Sequence, residues 1–198
     1  MQKQFNSSST NPSEKPQPGD LALYEAVVRR QYHTVSQLLR DGYPDINETN
    51  AGTGETALHA LAGNGEICLV AELVSLGADV NAADFTSTRP LHKAAQDGST
   101  HVAAALLAAG ADIDAMSDDG QTALHSAALK GDERMCRFLV GRGANFCLQN
   151  MSGYTAADMA RRYSCDFSLA DWLDTRRLRQ EAASAKTSPA PKTPKPGQ

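Results

Sequence analysis

The stretches ETALHAL at 55–61, TRPLHKAA at 88–95, QTALHSAA at 121–128 and YTAADMA at 154–160 decide the fold. Leu58, Leu91, Leu124 and Ala157 hold the same place in each, and each follows the last by 33 residues. A second series keeps that step: LGADVNA at 76–82, AGADIDA at 109–115 and RGANFCL at 142–148. Turn pairs recur between the two series as Asn64-Gly65, Asp97-Gly98 and Lys130-Gly131. Independent series sharing one period mark a tandem repeat, and a period of this size marks a stacked array.

Working outward, ALYEAVVRRQYHTVSQLLRDG at 22–42 aligns without gaps on ALHALAGNGEICLVAELVSLG at 57–77, with a step of 35. The extra residues fall in the loop YPDINETNAGTG, where added length costs little closure entropy. The chain therefore divides into units at about 20–51, 52–83, 84–116, 117–149 and 150–175. The first and last copies are the loosest, because their outer faces meet water rather than a neighbour.

Each unit reads as two helices and a loop. In the third, Pro90 suits a first helical turn, where its missing N–H does no harm. Leu91, Ala94 and Ala95 then share one helical face, and Gly98 ends that helix. Val102, Leu106 and Leu107 form the apolar stripe of a second helix, closed by Gly110. The loops that follow are rich in Asp, Ser and Gly. One such unit cannot bury its stripe alone, so the predicted fold is an all-α repeat solenoid of stacked helix-turn-helix units.

The period, the T-P/A-L-H-x-A-A segment and the G-A-D-V-N-A segment resemble the ankyrin repeat over about residues 20–175. That resemblance implies β-turn finger loops beside a concave face of inner helices. Departures stand out. Arg89 replaces the usual Thr, Ala22-Leu23-Tyr24 replaces the motif in the first unit, and Ala157-Asp158 replaces Leu-His in the fifth. Tyr163-Ser164 also lacks the turn glycine.

His59, His92 and His125 invite a metal reading. They stand one repeat apart, on the order of 10 Å for packed helices. A zinc ion needs all its ligands at about 2.0–2.1 Å, so no metal is expected. The resemblance implies instead that each imidazole links the start of its inner helix to neighbouring backbone. Thr56 and Thr122 are placed to cap the same helices. His33 and His101 are expected at the surface. No phosphate loop, nucleophile elbow or H-E-x-x-H helix occurs, so neither catalytic residues nor a cofactor are expected. The Asp118-Asp119 pair reads as solvated loop carboxylates.

Composition narrows the rest. Hydrophobic residues make up 41% and aromatics 6%, so the core is predicted to be aliphatic. Net charge is −4, and the positive excess lies in the tails: Arg176, Arg177, Arg179, Lys186, Lys192 and Lys195 oppose only Glu181 after residue 175. The body between 20 and 175 is more acidic than the whole, which argues against nucleic acid as its ligand. The longest apolar runs fall short of the about 18 residues that indicate a membrane helix. The first twenty residues lack a signal-peptide core, so an intracellular, monomeric protein is expected. Cys68, Cys136, Cys147 and Cys165 lack metal-clamp spacing and read as small buried residues.

Residues 1–19 and those from about 181 onward are predicted to be disordered, for want of apolar surface to bury. Ser188-Pro189 and Thr193-Pro194 resemble proline-directed phosphorylation sites. The segment 167–180 reads as the last outer helix, with Phe167 and Trp172 covering the open end.

The resemblance implies protein–protein recognition without catalysis, as an adaptor or scaffold. Carried onto this chain, the contact positions are Phe85, Thr86 and Thr88 in one finger, Met116, Asp118, Asp119 and Gln121 in the next, and Met151 and Tyr154 in the last. On the inner helices they are Gln96 and Asp97, Leu129 and Lys130, and Arg162 and Tyr163. The run ADFTSTRPLHKAAQDG is also similar to a repeat of the ankyrin inhibitors of cyclin-dependent kinases, which makes kinase inhibition the alternative. A targeting piece of an enzyme is a third reading.

Overall fold

A computed structural model of the chain describes residues 22–164 and 166–187. The expectations for 1–19, for Cys165 and for the two Ser/Thr-Pro sites lie outside the described residues. Among the described residues ten α-helices follow one another: α1 Ala22–Val28, α2 Tyr32–Arg40, α3 Ala57–Gly63, α4 Ile67–Ser75, α5 Pro90–Asp97, α6 Thr100–Ala108, α7 Ala123–Lys130, α8 Glu133–Gly141, α9 Ala156–Met159 and α10 Phe167–Thr187. A π-helical turn, Ala160–Ser164, continues α9.

Local chemistry sets the boundaries. Pro90 opens α5, and Gly98 and Gly131 close α5 and α7 with φ of 82° and 70°, left-handed values that glycine reaches without a Cβ clash. The fifth unit has Ser164 at that place. Its hydroxyl donates to Ala160 O at 2.7 Å and lies 3.2 Å from Ala128 O. The helix widens there instead of stopping.

Odd-numbered helices stack in order as an inner layer, and α4, α6 and α8 form an outer one. Buried alanines, including Ala57, Ala62, Ala94, Ala95, Ala127 and Ala128, let the inner helices approach closely. A single aliphatic core runs from Leu23 to Leu173 through every unit, so each helix pair buries its stripe against the next.

Three expectations need correction. Trp172 is half-buried and packs on the core, but Phe167 is 61% exposed and does not close the end. Leu169, Ala170 and Leu173 do; Phe167 lies two residues before Leu169, roughly 200° round the helix. Trp172 also has the guanidinium groups of Arg137 and Arg176 at 4.8 and 4.5 Å from its ring centre. Second, α10 runs to Thr187, past the residue 181 at which disorder was expected. The run Glu181–Lys186 is built from strong helix formers, which the Pro-rich sequence after it obscures. Third, only Cys136 of the described cysteines is buried; Cys68 and Cys147 are exposed.

Candidate functional site

The finger loops sit between consecutive inner helices, and the imidazoles fix them there. His59 Nε2 donates to Thr88 O at 3.0 Å, His92 Nε2 to Gln121 O at 3.0 Å and His125 Nε2 to Tyr154 O at 3.1 Å. Carbonyl oxygens only accept, so each Nε2 carries the proton. Each Nδ1 therefore accepts, from the backbone N–H of Thr56, Arg89 and Thr122. The Thr56 and Thr122 hydroxyls add a second donor at 2.9 Å. Burial holds all three imidazoles below the ordinary histidine range. Thr88, Gln121 and Tyr154, expected at the binding surface, thus also anchor the stack through their carbonyls.

The end units replace the imidazole. Tyr24 aligns with His59, and its hydroxyl donates 2.7 Å to the Glu55 carboxylate. Glu55 is the counterpart of Thr88, so a side-chain oxygen stands in for a backbone one. At the other end Asp158 aligns with His125. Its carboxylate accepts from Thr155 N at 3.0 Å and Thr155 Oγ1 at 2.8 Å, capping α9 locally.

Backbone bonds close each finger: Asn50 N to Glu55 O, Asp84 N to Thr88 O, Ser117 N to Gln121 O and Asn150 N to Tyr154 O, at 2.8–2.9 Å. Others tie finger to finger. Phe85 N donates to Thr53 O, Asp118 N to Thr86 O and Met151 N to Asp119 O. Phe85, Asp118 and Met151 consequently form one row of tips. Phe85 is 66% exposed, Met151 81% and Met116, just before its finger, 40%. Asp118 and Asp119 are exposed, as is Thr86. Gly54, Gly120 and Gly153 hold φ between 71° and 78° in their fingers, whereas the second-finger counterpart is Ser87, at φ 56°. The Ser87 hydroxyl donates to Asp118 across the gap at 2.5 Å.

On the inner-helix face, Gln96, Asp97, Lys130, Arg162 and Tyr163 are exposed, and Leu129 is half-buried against the core. The Arg162 guanidinium lies 5.2 Å from the Tyr154 ring and 5.9 Å from that of Tyr163. A network the motif reading missed occupies the first three units. Lys93 Nζ meets Glu55 at 2.5 Å and Asp84 at 4.0 Å. Burial draws the Glu55 carboxyl up, but hydrogen bonds from Lys93 and Tyr24 outweigh it and leave it below the usual range. Burial likewise draws Asp84 up, and the donors of Thr86 and Thr88 outweigh it. The available signal was Lys93 itself, which stands where the flanking units have Ala60 and Ser126.

Among the described residues no group of three or more His, Cys, Asp or Glu side chains gathers as a metal site would. Burial pushes the Cys136 thiol up to about 12, which leaves it inert. Among the same residues, no helix is long and apolar enough to cross a membrane. A family model described as ankyrin repeats matches in three overlapping copies, at residues 23–117, 58–150 and 91–173. Among curated proteins none gives a significant match.

Proposed function

Since the chain belongs to the ankyrin-repeat family, whose members are generic protein-interaction modules, we propose that it binds a partner protein through its finger tips and inner-helix face. One observation carries this reading. Phe85 and Met151 stand exposed at the tips although the core closes without them, and they flank the carboxylates of Asp118 and Asp119. Exposed large apolar side chains beside charge are what a binding hot spot needs. The chain is proposed to act as an adaptor or scaffold inside the cell, with no reaction of its own.

The acidic tips favour a partner with a basic segment there, next to a pocket for Phe85. Rim charge acts mainly on association rate, and apolar anchors on residence time. With the partner identified by affinity purification, surface-immobilised kinetics at two salt concentrations test this. Phe85→Ala should speed dissociation. Asp118→Lys with Asp119→Lys should slow association and weaken its salt dependence. Binding untouched by these changes but lost with Arg137→Glu, on the outer helices, would overturn the assignment.

A further inference from the structure

Along the inner-helix face the charge changes sign between the third and fourth units: Asp97 in the third, Lys130 in the fourth, Arg162 in the fifth. We infer that Lys130, Arg162 and the rings of Tyr154 and Tyr163 receive an acidic segment of a protein partner, bound in a polyproline-like extended form with carboxylates at positions i and i+3. This rests on the docking reading of the same face given above.

Three observations support it. First, the two consecutive arginines are sorted. Arg161 is engaged by Asp158, Asp171 and Asp174. Arg162 is exposed and meets no carboxylate among the described residues; it rests instead against two tyrosine rings. Lys130 is exposed as well and forms no ion pair among the described residues. Stacking holds the guanidinium in place with its donors still unspent, so a carboxylate needs to order little on arrival.

Second, the backbone is built differently here. The other inner helices end in α-helical turns, while the fifth unit carries Arg162 and Tyr163 on the π-helical turn Ala160–Ser164. Single π turns are frequent at functional sites because they re-aim side chains. That turn packs directly on the end of α7: Ser164 Oγ is 3.2 Å from Ala128 O, and a Cβ on Gly131 would stand 3.0 Å from the Ser164 side chain. Lys130 thus ends the helix on which the turn carrying Arg162 packs.

Third, the spacing selects the ligand. Neighbouring packed helices stand about 8–10 Å apart. An extended chain with three residues per turn and a rise of about 3.1 Å puts i and i+3 on one side, roughly 9 Å apart. A β-strand would throw i and i+3 to opposite faces. Tyrosine rings at the same place suit such chains, which dock in aromatic-lined grooves.

The probe is a random-peptide phage library selected on the full chain and on Lys130→Glu/Arg162→Glu, with helicity checked for both. Peptides selected on the natural chain should carry Asp or Glu three positions apart. Those selected on the reversed chain should carry Lys or Arg there. A synthetic acidic peptide should lose about tenfold in affinity with Lys130→Gln or Arg162→Gln, the scale of one charged hydrogen bond. Arg162→Lys should recover only part, lacking the planar stack. The inference is overturned if selected peptides lack the acidic pair, if inorganic phosphate displaces them at equal concentration, or if both reversals leave them bound. Peptides that bind but respond only to Asp118→Lys/Asp119→Lys would sink this inference while leaving the docking face intact. A library yielding no binder sensitive to any finger or inner-helix change would sink both.

Discussion

In the second, third and fourth units a buried imidazole reaches forward to a carbonyl of the next unit; in the first a phenol reaches forward to a carboxylate, and in the fifth a carboxylate turns back on its own helix. The difference follows from what each unit has beside it. An interior unit has a finger ahead whose carbonyl already accepts that finger's own closing N–H, and the imidazole adds a second, inter-unit bond worth about 0.5–1.5 kcal/mol. Among the described residues no finger follows the fifth unit, and Asp158 caps α9 instead. In the first unit Tyr24 reaches Glu55, which also holds Lys93, so the opening of the stack is fastened by charge rather than by an imidazole. The interior is held by a repeated device and each end by a local one.

The largest effect that tests this contrast comes from the core. Leu124 and Leu169 are both fully buried leucines, but Leu124 lies in an interior helix and Leu169 in the last. Leu124→Ala should cost about 2–5 kcal/mol in urea unfolding. Leu169→Ala should loosen α10 first, because in a stack only nearest neighbours hold a unit. Trp172, the sole tryptophan, reports that event by fluorescence before helicity falls. Coincident transitions in both variants would erase the distinction between interior and end.

Acidity should separate the two devices. His59, His92 and His125 are held below the ordinary imidazole range by burial, so the unfolded chain takes up protons first as pH falls. Their contribution is complete above about pH 6.5, the unperturbed histidine value, and declines below it toward the folded values. Protonation of Nδ1 also ends its role as acceptor. In Asp158 burial raises the carboxyl, but the Thr155 hydrogen bonds and Arg161 outweigh it, so its contribution is complete above about pH 4, the unperturbed aspartate value, and declines only below that. Melting temperature should therefore fall between pH 7 and 5, with a smaller slope in His125→Gln. A flat profile over that window would count against the imidazole account.

Two finger glycines offer a matched pair. Gly120 and Gly153 share a left-handed backbone, with φ of 71° and 78°. A Cβ on Gly120 would stand 2.9 Å from Met151 N, while on Gly153 it would meet nothing within 4 Å. Gly153→Ala should cost about 1 kcal/mol for the backbone alone. Gly120→Ala should cost at least about 1 kcal/mol more, since the next finger must move. Thermal denaturation of the two variants measures the stacking of one finger on another, and equal losses would mean that the fingers are independent.

The sequence made the period, the helix pairs and the imidazole series legible because each is a local pattern copied at a fixed step. What it concealed lies off that step. The alignment at a step of 35 sets Tyr24 in the place of His59 but does not show that its phenol reaches the Glu55 side chain. Lys93 is one polar residue on a helix until the fold sets it between Glu55 and Asp84, which are distant from it in sequence. The widened turn at Ala160–Ser164 follows from a missing glycine, whose absence says only that the helix does not stop there. At the tips, Phe85 and Met151 were legible as apolar residues at positions the core does not use. The stacking of Arg162 on two tyrosines was not, since Tyr154 belongs to the finger and Arg162 to the turn beyond α9.

The smallest effect concerns Ser87, which departs from glycine within an interior finger. Its left-handed backbone, φ 56°, costs about 1 kcal/mol for a residue with a Cβ. Against that stand its exposed hydrogen bond to Asp118, worth about 0.5–1.5 kcal/mol, and the greater freedom a glycine would have when unfolded, about 0.5–1 kcal/mol. The terms leave the serine ahead by about 0–1.5 kcal/mol, so Ser87→Gly should destabilise by at most about 1.5 kcal/mol. Ser87→Ala keeps the strain and loses the bond, so it should be the worse of the two by thermal denaturation. That order would show that the serine is kept for the bond, which fixes the direction of Asp118 at the tip row. If Ser87→Gly instead stabilised the chain, the bond would contribute nothing, and the orientation of Asp118 would have to come from the finger backbone alone.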